Sequence, residues 1–79
     1  MVETKSYSTQ DDRNRLDRSF RYHLPKGDQP DRYDAVRITG KVLAETVCES
    51  CPPSRERSLA LTKIEEAVMW ANASIARNE

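Results

Sequence analysis

Apolar side chains recur along this chain in two long stretches, at steps of three and four. Tyr33, Val36, Gly40, Leu43 and Val47 fall on one line, the spacing of one helix face. Leu61, Ile64, Val68, Ala71 and Ile75 repeat the pattern further on. Between them stands "CPPS", whose two prolines cannot continue a hydrogen-bonded ladder. Asp28 offers a cap and Pro30 a first-turn residue for the first helix; Pro53 or Ser54 opens the second. Two long helices joined by so short a link predict an antiparallel hairpin. Upstream, "DDRNRLDRSF" predicts a shorter helix, with Asp11 and Asp12 at its positive end and Leu16 and Phe20 aligned at i, i+4. Residues 1–10 are polar and unpatterned and read as a loose tail, leaving 11–79 as a single all-α domain.

One segment exceeds what a hairpin requires. "AVMWANASIA", residues 67–76, is apolar around nearly its whole circumference, interrupted only by Asn72 and Ser74. A helix apolar all round is covered on more than one side. Two helices cannot supply that cover, so the pattern predicts a homo-oligomer. The small residues Gly40, Ala44, Ala60, Ala67, Ala71 and Ala73 would let helices approach closely. Alanine's helix propensity is the plainer account of these, but it does not explain Val68, Met69, Trp70 and Ile75 together.

Composition narrows the partners. The chain has 79 residues, with 13 basic and 13 acidic side chains and a formal net charge of zero. Both signs are spread evenly, so no basic arm offers the clustered excess on which polyanion binding rests. No stretch approaches a membrane span, and the N-terminus "MVETKSYSTQDDR" lacks a signal peptide's apolar core. A cytosolic setting follows, in which Cys48 and Cys51 are reduced thiols.

Most candidate chemistry falls to a simpler account. Cys48-x-x-Cys51 has redox or zinc spacing, but zinc needs four ligands and His23 is the single histidine. The pair reads better as small apolar residues finishing a helix face. Glu65 and Glu66 are adjacent on a helix, about 100° apart, and cannot converge on one substrate. No Gly-rich phosphate loop, Ser/His/Asp set or HExxH occurs, so neither an enzyme nor a metal or cofactor is expected. A helix-turn-helix DNA-binding regulator is the competing reading for a small helical chain. It would want a basic recognition helix, whereas Arg55, Arg57, Lys63 and Arg77 are balanced by four glutamates.

The loop "RYHLPKGDQPDRYDAVR" is different. The Tyr22 ring is a platform on which a nucleobase can stack. Arg37 is a planar bidentate partner for phosphate, and Lys26, Gly27 and the first-turn N–H groups add donors. From residue types alone the plainer account is favoured, in which Tyr22 packs on the hairpin while Arg37 pairs on the surface with Asp34 or with Lys41's neighbours.

The segments "YHLPKGDQPDRY", "RITGKVLAETV" and "CPPSRERSLALTKIEEAVMWANASIAR" resemble the phage cyclic-oligonucleotide sponges, small anti-CBASS proteins with relatives that act against Thoeris defence. The resemblance runs from about Phe20 to Arg77 and leaves residues 1–19 outside it, as an addition of this chain. It implies a helical hairpin assembled as a hexamer, a trimer of dimers. Such an assembly would bind signalling nucleotides in the infected host's cytoplasm without cleaving them. By motif position it implies that Tyr22 stacks on the bases of a cyclic dinucleotide such as cyclic GMP-AMP. Arg37, standing where family members commonly have lysine, would hold its phosphate; Lys26 joins the dinucleotide site from the loop's own residues and not by motif position. It further implies that His23, Thr39 and Arg77 serve cyclic trinucleotides. An isologous dimer and a nearly two-fold ligand share their symmetry, so each loop would be half of a pocket completed by a neighbour.

Overall fold

The computed structural model describes residues 6–79, and among them there are three helices and no strand. They are α1 (Gln10–Phe20), α2 (Gln29–Ser50) and α3 (Arg55–Asn78). The predicted hairpin is present. The start of α2 meets the end of α3, because Gln29 and Arg32 both bond Glu79. Of the predicted tail, residues 1–5 lie outside the described residues, and the helix takes in Gln10.

Local chemistry sets the ends. Thr9 caps α1: its Oγ1 accepts the Asp12 N–H at 3.1 Å, and the Asp12 carboxylate accepts the Thr9 N–H at 3.1 Å. This reciprocal box, with aspartate in glutamate's usual place, moves the start ahead of the predicted Asp11. Ser54 caps α3 by accepting the Arg57 N–H. The cap predicted for Asp28 is corrected. Its side chain makes no capping bond and instead pairs with Arg32 at 3.1 Å, while Pro30 occupies the first turn as expected.

The two long helices come into close contact at Gly40, where a Cβ would collide with Val68 Cγ2. Only hydrogen fits there, so backbone and side chain meet directly. The result is a slab of 63 × 37 × 15 Å, barely thicker than one helix with its side chains, about 10–12 Å. A single layer cannot enclose a core. No apolar side chain among the described residues is buried; the one buried residue is Gln29, at 5% exposure. In the 67–76 run, Val68, Ala71 and Ile75 are half-covered by the hairpin, while Met69 and Trp70 lie open. Cys48 and Cys51 are free and exposed at the hairpin tip, so the helix face they finish is uncovered in the single chain.

Candidate functional site

The loop between α1 and α2 is built by three sets of hydrogen bonds. The Arg21 N–H caps α1 by donating to the Asp17 carbonyl at 3.0 Å. His23 Nε2 lies 3.2 Å from the Arg18 carbonyl, and a carbonyl can only accept, so Nε2 carries the proton. Lys26 and Gln29 then close a tight turn. The Gln29 N–H donates to the Lys26 carbonyl at 3.0 Å, and the Lys26 N–H donates to Gln29 Oε1 at 3.1 Å. Gly27 takes φ 58°, a conformation that a side chain would strain at the first central position of such a turn.

Gln29 also carries the loop to the far end of α3. Its Nε2 donates to Glu79 Oε1 at 3.0 Å, and Arg32 forks onto both oxygens of the same carboxylate, with Nη1 at 2.7 Å from Oε2. Arg32, with help from Gln29, holds the Glu79 carboxyl down at about 2. In return Glu79 raises the Arg32 guanidinium above its usual range, with Asp28 adding to it.

This framework opens a recess of about 420 Å³ where α1, the loop, α2 and α3 meet. Tyr22, His23, Tyr33, Asn72 and Arg77 stand on its wall. Tyr22 is 81% exposed, a ring held clear of the hairpin rather than packed on it. A smaller adjoining recess of about 200 Å³ adds Lys26 to Tyr22 and His23. The loop therefore brings together four of the six candidate residues: Tyr22, His23, Lys26 and Arg77. The other two stand apart. Arg37 lines neither recess and pairs with Asp34 at 2.7 Å on an open helix face, the surface pairing its neighbours allow. Thr39 borders an apolar groove with Ala35, Val36, Ala67, Val68 and Ala71.

Two wall residues had no functional reading in the sequence. Tyr33 looked like part of a helix stripe, yet it puts a second aromatic ring beside Tyr22's recess. Asn72 looked like a break in an apolar run, and that polar interruption was the available signal. Its Oδ1 is shielded from solvent and has no hydrogen-bond partner among the described residues. Among the described residues no cluster of His, Cys, Asp or Glu could hold a metal ion, and no helix is long and apolar enough to cross a membrane.

An aromatic and cationic recess of this kind suits an anion that also carries rings. The family model described as Acb2/Tad1, hairpin domain, matches residues 12–76. The chain belongs to this family. The Acb2/Tad1 hairpin proteins are the phage cyclic-oligonucleotide sponges, which bind their ligands rather than cleave them and act in the host. The match corrects one expectation: the Acb2/Tad1 region begins at residue 12 and takes in nearly all of α1, which is therefore no addition to the hairpin. No curated protein and no solved structure gives a significant match.

Proposed function

We propose that this protein is an oligomeric sponge that sequesters cyclic oligonucleotide second messengers in the cytoplasm of the infected bacterium and so blocks activation of CBASS effectors. The reading is carried by the recess that places Tyr22, His23 and Arg77 on one wall in a chain of this family. Cyclic dinucleotides such as cyclic GMP-AMP stack on Tyr22, with Arg37 and Lys26 on their phosphates. Cyclic trinucleotides engage His23, Thr39 and Arg77. Arg37 and Thr39 lie away from the Tyr22 recess within one chain, so each pocket needs a neighbouring protomer to bring them in.

The surface supports assembly. The chain exposes 6798 Å², whereas a compact monomer of 9.1 kDa would expose about 4,900 Å². The excess of about 1,900 Å² is roughly twice the 800 Å² or so that one partner contributes to a standard protein–protein interface. A hexamer of six 9.1 kDa chains, about 55 kDa, buries it with the symmetry that both two-fold and three-fold ligands require. Binding without turnover fits the same wall, which offers one histidine, two tyrosines and Arg77 but no carboxylate to pair with the histidine.

Calorimetry on the wild-type chain with cyclic GMP-AMP and cyclic triadenylate tests the reading. Both should bind, and heat-denaturing the complex should return them intact. Tyr22→Ala should abolish dinucleotide binding, and Arg77→Ala should chiefly weaken the trinucleotide. Linear product in excess over protein would place the chain among the enzymes instead.

A further inference from the structure

A second recess of about 350 Å³ lies on the other side of Arg77, between α1 and α3. Arg15, Arg18 and Ser19 reach it from α1 at i, i+3 and i+4; Trp70, Ser74 and Arg77 reach it from α3 at i, i+4 and i+7. Three guanidinium groups therefore line one small volume, and no carboxylate lines it with them. None of the three appears in an ion pair among the described residues. The neighbouring acids do not line it either: Asp11, one turn before Arg15, forms no ion pair with that arginine among the described residues. Asp12 closes the Thr9 cap, Asp17 lines a separate recess with Leu16, Phe20 and Arg21, and Glu79 is held by Arg32.

Like charges gathered without a counter-charge repel, and what relieves them is an anion with several acceptor oxygens. Guanidinium forks match phosphate oxygens in pairs. The indole of Trp70, with Arg77 6.0 Å from its centroid, adds an aromatic surface beside them.

We infer that Arg15 and Arg18 of α1, together with Arg77, form a phosphate-binding pocket that grips the backbone of the larger, trinucleotide ligand. This deepens the proposed function and rests on it: Arg77 stands between the two recesses, so a ligand seated on it can place one phosphate in each. The role of α1 is then one of placement: its three aspartates and three arginines balance, but Arg15 and Arg18 are set on the side that faces Arg77.

The test is calorimetric titration of the full-length Arg15→Ala/Arg18→Ala variant with cyclic triadenylate and with cyclic GMP-AMP, at two salt concentrations. Trinucleotide affinity should fall about a hundredfold, roughly tenfold for each charged hydrogen-bonding partner lost. The affinity should also become less dependent on salt than in wild type, because two screened cation–phosphate attractions are gone. Dinucleotide binding should change less than threefold, and Arg15→Lys/Arg18→Lys should recover much of the loss. Unchanged trinucleotide affinity and salt slope, with wild type binding normally, would overturn the pocket and leave the sponge reading intact. A loss that the lysine variant shares in full, together with lower helicity by circular dichroism, would assign the two arginines a structural role and also overturn it. Wild type binding neither ligand would overturn the sponge reading and the pocket with it.

Discussion

The hairpin and the arm that precedes it are held in different ways. The two long helices meet through backbone, with Gly40 against Val68, and are clasped at their open end by Glu79 on Gln29 and Arg32. The arm, α1 and the loop to Gly27, faces α3 mainly across recesses whose walls carry arginines, serines, a tyrosine and the histidine. Its order is largely its own: the Thr9 box, the bond from His23 to the Arg18 carbonyl, and the turn at Gly27. On the proposed reading the hairpin contributes shape together with Arg37, Thr39 and Arg77, and the arm contributes the loop chemistry of Tyr22, His23 and Lys26. What separates the arm from the hairpin is the space a ligand would fill.

The largest effects should come from the hairpin. Val68→Glu places a charge against the backbone of Gly40 in the contact between the long helices, where it has no partner, at a cost of several kcal/mol. Light scattering should show loss of the assembly near 55 kDa, and Ile75→Glu should behave alike. Gly40→Val overpacks the same crossing and should destabilise the fold by about 1–3 kcal/mol, measured by chemical denaturation. The arm should respond in the opposite sense. Tyr22→Ala should leave the circular dichroism unchanged, because the ring is exposed, yet remove about 1–3 kcal/mol of stacking for each base it supports. If Tyr22→Ala unfolds the protein, or binds dinucleotide as wild type does, the division between hairpin shape and loop chemistry is wrong.

Smaller effects sharpen the comparison. Asp34 competes with any phosphate for Arg37, so Asp34→Ala should tighten dinucleotide binding by up to about fivefold, the range of an exposed ion pair. The weakest and most local effect concerns the clasp. A carboxyl held near 2 in the folded chain, below its usual value of about 4.5, contributes stability that is complete above 4.5 and lost as the pH falls toward 2. Amide exchange in the first turn of α2 should therefore quicken relative to the rest of the hairpin over that acid window. Glu79→Gln should show the quickened exchange already at neutral pH.

The fold was legible where local chemistry decides it. Steps of three and four, two consecutive prolines and Ser54 locate α2 and α3 to within a residue or so, because periodicity and capping act within a few residues. The start of α1 slipped because aspartate served in a capping box where glutamate or glutamine is the usual signal. Asp28 was misread for the opposite reason: Arg32, one turn on, draws its carboxylate away from the backbone. The site was legible as a list and not as an arrangement. Nothing in the spacing says that Arg77, 55 positions after Tyr22, shares its recess while Arg37, only 15 away, does not. That depends on the antiparallel return of α3 and on the clasp at Glu79. Tyr33 and Asn72 were hidden by the same geometry, since a helix stripe gives no sign of which end it turns toward the loop.

A slab 15 Å thick has a consequence for how this protein endures. With no apolar side chain buried among the described residues, one chain has little internal reserve to resist unfolding, and in the proposed assembly stability would come from what lies against its two faces. Heat and dilution then act along the same coordinate: the melting temperature should climb with protein concentration, as mass action requires when partners bind only the folded form. A captured ligand that bridges protomers would add to that resistance, so a loaded sponge should outlast an empty one at the same dilution.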